Sequence, residues 1–66
     1  MDGQYSFSDN LRKIREKRGL SQAEVADGVG VSQRTVSAWE LNERYPTTDR
    51  VYDLANFFKI PISALI

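Results

Sequence analysis

The sequence has 66 residues, with nine lysine or arginine residues, nine aspartate or glutamate residues, no cysteine and no histidine. A chain of this length forms one domain, and without cysteine or histidine it lacks disulfides, thiolate metal sites and the commonest general base. We therefore expect residues 1–66 to form a single domain that is not an enzyme and uses no metal and no cofactor. Because the net charge is zero, attraction to nucleic acid would depend on how the charges are distributed.

The first predicted helix follows Ser6, a residue type that caps helix N-termini, and ends at Gly19. Phe7, Leu11 and Ile14 recur along it at the spacing of one helical face. The same segment carries most of the basic residues of the first half of the chain. No segment of the sequence alternates apolar and polar residues as a strand would, so the predicted fold class is all-α.

Two short helices are predicted next, over residues 22–29 and 33–41. Ser21 and Glu24 form a Ser-x-x-Glu capping box that opens the first of them, and Gly30 breaks it. The connecting turn is too tight for the two helices to lie antiparallel, so they must cross steeply, which is helix-turn-helix geometry. In the second of the two, Val36 and Trp39 share the inner face with Thr35 between them.

A fourth helix is predicted to start after Thr47, a capping residue. Its apolar positions follow the i, i+3, i+4, i+7 spacing: Val51, Leu54, Ala55 and Phe58. Pro61 stops this helix and opens a final turn, whose Ile62 and Leu65 close the core. The sequence ends at Ile66 without a polar tail, from which we expect a further C-terminal domain that is absent from this sequence.

The segment LSQAEVADGVGVSQRTVSAWE, residues 20–40, resembles the helix-turn-helix of the Cro and phage-repressor group, also called the XRE family. The resemblance extends through FSDNLRKIREKRG before the motif and RYPTTDRVYDLANFFKI after it. It implies a compact five-helix lambda-repressor-like DNA-binding domain, with the motif at about residues 21–41. It also implies sequence-specific binding of double-stranded DNA by a transcriptional regulator, with a repressor favoured.

Carried over residue by residue, the resemblance makes residues 33–41 the recognition helix in the major groove. The side chains expected to face the bases are Gln33, Arg34, Ser37 and Ala38. Gln33 can bond adenine N6 and N7, Arg34 can bond guanine O6 and N7, and Ala38 can touch a thymine methyl group.

The resemblance also implies phosphate contacts at the N-terminus of the second helix and from nearby cations. The residues expected to make them are Gln22, Ser32, Arg12, Arg15 and Arg44. Arg15 has a second role in the family's pattern, a structural ion pair with Glu40, so it is expected to be structural and phosphate-facing at once. Lys13 and Lys17 project away from this face and are expected to be solvated.

The chain departs from the family's pattern after Glu40, where it has Leu41, Asn42 and Glu43 instead of a glycine followed by lysine. The lost lysine weakens a phosphate anchor. Leu41 projects to the side of Arg34, where it contacts either a thymine methyl group or a partner chain. Gly28, inside the second helix, is expected to cost about 1 kcal/mol relative to alanine.

Members of this family generally bind palindromic operators as two-fold dimers, which implies a homodimer here. Phe57 points away from the apolar face of the fourth helix, so it is predicted to be an exposed dimer contact, together with Tyr52 and Ile66. The alternative function is a protein-protein interaction module that keeps the fold without reading DNA, which the neutral charge and Glu43 allow. With no signal-like segment, no membrane span and no small-molecule site evident, we expect a cytoplasmic protein.

Overall fold

The computed structural model describes residues 6–66 and contains four α-helices: α1 (Phe7–Lys17), α2 (Gln22–Val29), α3 (Gln33–Glu40) and α4 (Thr48–Phe58). A 3-10 helix, Ile62–Ala64, follows them. None of these helices is long and apolar enough to cross a membrane, within the range that the structure describes. The same range contains no β-strand. The all-α prediction is confirmed.

The expectation of five α-helices is wrong in its last element. Ile62–Ala64 is a single 3-10 turn, in which Ala64 N–H donates to Pro61 C=O and Leu65 N–H donates to Ile62 C=O. A segment this short takes the tighter i to i+3 pattern, because one turn offers few i to i+4 bonds. The turn still places Leu65 in the core, fully buried.

The predicted capping residues start the helices. Ser6 Oγ accepts a hydrogen bond from Asp9 N–H at 3.2 Å. Ser21 and Glu24 make both bonds of the capping box at the start of α2. Thr47 Oγ1 accepts from Arg50 N–H at 3.3 Å, which opens α4. Each cap satisfies a backbone N–H that has no partner inside its helix.

Left-handed residues mark the helix ends. Gly30 follows α2 with φ 84°, and Asn42 follows α3 with φ 61°. The third helix ends at Glu40 and not at residue 41, because Leu41 is already its C-cap. Lys59 caps α4 at φ 58°, a left-handed lysine that the sequence pattern did not indicate.

One apolar cluster holds the four helices and the 3-10 turn together. Its largest fully buried side chains are Leu11, Val25, Val36, Leu54, Phe58 and Leu65. These residues come from the four α-helices and from Leu65, which directly follows the 3-10 turn, so no helix buries its apolar face alone. Asn10 Nδ2 adds a polar tie, since it donates to Leu65 C=O at 2.9 Å and so joins α1 to the last turn.

Two arginines cap the C-terminal ends of other helices. Arg18 Nη2 donates to Phe58 C=O at 2.9 Å and its guanidinium lies 5.7 Å from the centre of the Phe58 ring. Arg50 Nη1 donates to Val29 C=O at 3.2 Å. The last carbonyls of a helix have no partner within it, and a cation there also suits the helix dipole. The guanidinium groups of Arg18 and Arg50 therefore contribute to the fold by bonding backbone carbonyls within the domain.

Gly28 of α2 lies directly against Phe57 of α4. A Cβ atom at this position would lie 2.1 Å from Cε1 and 2.6 Å from Cδ1 of Phe57. Phe57 is half-buried, packs against the core and meets the Phe58 ring edge-on at 5.1 Å. The expectation that Phe57 is an exposed aromatic pointing away from the core is therefore wrong. Because Gly28 has no side chain, the Phe57 ring can pack directly against the backbone of α2.

Replacing Gly28 with alanine should destabilise the domain. The helix propensity of alanine is better by about 1 kcal/mol, but overpacking of this kind costs about 1 to 3 kcal/mol. We expect a net loss of stability in urea unfolding, and a smaller loss from Gly28→Ala in a Phe57→Ala background. Asp27→Ala, at the exposed neighbouring position, is the control. A gain in stability from Gly28→Ala alone would contradict this account of the contact.

Candidate nucleic-acid interface

The turn between α2 and α3 is held by a single carbonyl group. Ala26 C=O accepts from Gly30 N–H at 2.8 Å and from Val31 N–H at 3.0 Å. Ala26 is 3% exposed, so its small side chain lies in the packed region that the turn encloses. Ser32 then opens α3, with its Oγ accepting from Thr35 N–H at 3.1 Å. The turn therefore fixes the direction in which α3 leaves α2.

Arg15 and Glu40 form the predicted ion pair across the molecule. Arg15 Nε donates to Glu40 Oε2 at 2.6 Å and Nη2 donates to Oε1 at 3.0 Å, a two-bond fork. Arg15 Nη1 donates to Leu20 C=O at 2.9 Å. The side chains are 14% and 4% exposed. The hydrogen bond to Glu40 raises the pKa of Arg15, although burial works against it.

Gln22 joins this pair from the first turn of α2. Its Nε2 donates to Glu40 Oε1 at 3.1 Å. Glu40 is thus bound by side chains from both α1 and α2, and it stands at the end of α3. We name these three residues, Arg15, Gln22 and Glu40, the Glu40 junction. It connects the N-terminus of α2 to the C-terminus of α3, the two helix ends on which the geometry of the motif depends.

The structure separates the four side chains predicted to read bases into two pairs. Gln33 and Arg34 are exposed, and Ser37 and Ala38 are half-buried. On the opposite side of α3, Val36 is fully buried and Trp39 is 2% exposed. The buried side sets the rotation of α3, so Gln33 and Arg34 face outward at its start.

A shallow groove runs beside the outward face of α3. It is lined by residues of α3 and of the following loop: Arg34, Thr35, Ser37, Ala38, Glu43 and Arg44. The loop is held there because Ala38 C=O accepts from Glu43 N–H at 2.9 Å and from Arg44 N–H at 3.4 Å. Thr35 was expected on the inner face between Val36 and Trp39, but it is half-buried and lines the groove, and its Oγ1 is hydrogen-bonded with Ser32 Oγ.

The predicted phosphate contacts fall into different environments. Arg44 is exposed at the groove, and Ser32 is exposed at the start of α3. Gln22 is half-buried in the Glu40 junction. Arg12 pairs with Asp9 on the surface of α1 at 3.3 Å. Arg15 uses three nitrogens within the domain and its charge is balanced by Glu40, so the structure gives it a positioning role.

Known proteins share this sequence pattern and this geometry. A family profile described as helix-turn-helix matches residues 11–65. The cryptic phage CTXphi transcriptional repressor RstR of Vibrio cholerae is 40% identical over 60 residues, which cover 91% of this chain and 54% of RstR. The uncharacterized HTH-type transcriptional regulator YqaE of Bacillus subtilis is 30% identical over 91% of this chain and 52% of its own length. The chain therefore spans about half the length of these two relatives.

The fold also matches that of a repressor whose structure has been solved. The P22 c2 repressor, whose crystal structure is in complex with a synthetic operator, superimposes with a TM-score of 0.89. The two chains are 25% identical, and the match covers 96% of each. The match therefore extends over the whole domain and includes the motif.

Neutralising Glu40 should destabilise the domain far more than neutralising another glutamate beside the same arginine. Glu40→Gln leaves Arg15 buried without its counter-charge, a change that costs about 3 to 5 kcal/mol. Glu16 is the matched control, because it lies 3.9 Å from Arg15 Nη2 and is 61% exposed; Glu16→Gln should change stability by less than about 0.5 kcal/mol. Urea unfolding of the two variants measures the difference. Equal small losses would contradict a structural role for the pair.

Proposed function

The chain belongs to the helix-turn-helix family, and we propose that it binds double-stranded DNA sequence-specifically as a transcriptional regulator that acts as a repressor. The observation that carries this proposal is the outward face of α3, where Gln33 and Arg34 are exposed and two buried side chains fix the rotation of the helix. The printed descriptions of RstR and of the P22 c2 structure, a repressor and a repressor with operator DNA, support it.

Base reading follows from the chemistry of the outward residues. A guanidinium presents two parallel N–H groups that match O6 and N7 of guanine, and an amide side chain matches N6 and N7 of adenine. Arg34 and Gln33 are adjacent and both exposed, so they serve neighbouring base pairs. Ser37 and Ala38 lie deeper, one turn further along α3, where a short hydroxyl or methyl side chain suits contact with a base edge or a thymine methyl group.

Phosphate binding is proposed at the start of α2 and along the groove. The capping box occupies the backbone N–H groups of Ser21 and Glu24. The N–H groups of Gln22 and Ala23 lie between them in the first turn, where the helix dipole favours a phosphate. Arg44 adds a formal positive charge at the groove. The Glu40 junction holds this end of α2 in place against α3.

A homodimer on a palindromic operator is the finer form of the proposal. Next to α4 lies an apolar hollow whose exposed residues include Tyr45, Tyr52 and Ile66, with half-buried Ile62 beside them. Tyr52 and Ile66 are two of the three predicted dimer contacts. Phe57, the third, is engaged with Gly28 and is a poorer candidate. We propose that a second copy packs on this hollow, since exposed apolar area of this kind is typical of contact surfaces.

The rest of the functional proposal concerns the whole protein. The match covers about half the length of RstR and of YqaE, and a further C-terminal domain stays a prediction. We propose a cytoplasmic location and no catalytic activity for the domain. Among the described residues, no three or more His, Cys, Asp or Glu side chains are grouped so that they could hold a metal ion.

A charge at Tyr52 should weaken dimerisation without unfolding the domain, because the side chain is 53% exposed. We expect Tyr52→Glu to shift sedimentation of the protein-DNA complex from two copies per duplex towards one. Far-ultraviolet circular dichroism provides the control for folding. Two copies bound with unchanged cooperativity would contradict the assignment of this hollow as the dimer surface.

Removing Arg34 should abolish one element of base preference. We expect selection from a random DNA pool to enrich a palindrome, and Arg34→Ala to weaken binding to it by about 5- to 150-fold per bidentate contact. Preference should be lost at one base pair in each half-site. Lys17→Ala, which removes an exposed charge from α1, is the control and should keep the preference. No enrichment and no salt-dependent binding by the wild type would favour the protein-interaction module instead.

A further inference from the structure

Glu43 places a carboxylate on the proposed DNA-binding face. It lines the groove beside α3 together with Arg34 and Arg44. Its position is fixed by the backbone, because Asn42 adopts φ 61° and Glu43 N–H donates to Ala38 C=O at 2.9 Å. The side chain is exposed. A negative charge is therefore held where the proposed function requires contact with a polyanion.

Most other carboxylates between residues 6 and 66 form ion pairs or hydrogen bonds within the domain. Asp9 pairs with Arg12, and Asp53 pairs with Arg50. Glu24 closes the capping box of α2, Glu16 lies near Arg15, and Glu40 forms the centre of the Glu40 junction. Within this described range, Glu43, Asp27 and Asp49 have no side-chain hydrogen bond or ion pair. Of these three, Glu43 alone lines the groove.

A carboxylate in this position opposes the sequence-independent part of DNA binding. That part comes from cations meeting phosphates and supplies nearly all non-specific affinity. Arg34 and Arg44 attract the phosphate backbone, and a negative charge in the same groove offsets part of that attraction. On a matching sequence Arg34 contacts a base, whereas on DNA of another sequence its charge can only contact phosphate. A carboxylate in the same groove therefore opposes binding to the wrong sequence more than binding to the right one.

We propose that Glu43 is a specificity-determining residue, which lowers affinity for DNA of any sequence so that stable binding depends on the base contacts of α3. The proposal rests on the DNA-binding function proposed above. It assigns no hydrogen bond from Glu43 to a base. Its consequence is that the domain keeps little of its binding when the base sequence is wrong.

The test compares Glu43→Gln and Glu43→Lys with Asp27→Asn, which removes one negative charge from an exposed position outside the groove. Binding is measured by fluorescence anisotropy on a selected duplex and on a random-sequence duplex, across a range of salt concentrations. We expect Glu43→Gln to tighten binding to random DNA by at least about threefold at low salt. Glu43→Lys should tighten it further and steepen the salt slope by about one phosphate contact. Asp27→Asn should have a smaller effect than either.

Selectivity is the deciding readout. The ratio of affinities for selected and random DNA should fall in both Glu43 variants, because random DNA gains more. If Glu43→Gln instead weakens binding to the selected duplex and relaxes one base pair, Glu43 reads cytosine N4 and the proposal is wrong. If Glu43→Gln and Asp27→Asn change the affinity for random DNA by the same factor, the proposal is wrong as well. Failure of the wild-type protein to bind either duplex would overturn the proposed function itself, a result distinct from both.

Discussion

The interaction on which the rest of the structure depends is the binding of Glu40 by Arg15 and Gln22. Glu40 is 4% exposed at the side chain and accepts three hydrogen bonds from two other helices. A buried carboxylate is costly unless it is paired and hydrogen-bonded, and here both conditions are met. Because the bonds are directional, the junction specifies how the start of α2 and the end of α3 lie against α1, which apolar packing alone specifies less tightly.

The same junction shows why the number of basic residues in the sequence is a poor guide to the charge at the proposed interface. Three arginines bond to other groups of the domain: Arg15 to Glu40, Arg18 to the last carbonyl of α4, and Arg50 to the last carbonyl of α2. Basic residues counted along α1 therefore overstate the charge available to a ligand. The proposed interface relies on Arg34 and Arg44, on the N-terminus of α2, and on base contacts, with Glu43 as an opposing charge. Sequence preference in such an interface depends on the geometry of the base contacts, whereas total charge carries no sequence information.

Much of the fold follows from local sequence signals. Ser6, the Ser21 and Glu24 pair, and Thr47 were identified as caps because an N-cap needs only a short polar side chain and a free amide three residues on. The start of α2 follows from its capping box and its end from Gly30, which can adopt the left-handed conformation. The last turn was less predictable, since whether a few residues form an α-helix or a 3-10 turn depends on packing.

The features that the sequence did not indicate are contacts between distant residues. From the sequence, Gly28 is an unfavourable residue within a helix and Phe57 is an exposed aromatic. The structure shows that the two are in contact, and that the Phe57 ring fits there because Gly28 has no side chain. Likewise, the backbone bonds from Glu43 and Arg44 to Ala38 bring the loop onto the outward face of α3, which helical projection cannot show. The ion pair of Arg15 and Glu40 was foreseen through the family resemblance, whereas the participation of Gln22 was not.

The most direct test of the central claim, that the start of α2 and the outward face of α3 form one DNA-binding surface, is a map of amide chemical shifts by nuclear magnetic resonance. A selected duplex would be titrated into the isotope-labelled protein. The account predicts that the largest changes fall together on Gln22, Ala23 and residues 33–38, and saturate at the same concentration of duplex. Changes confined to the hollow at Tyr45, Tyr52 and Ile66, or spread evenly over the surface, would contradict it.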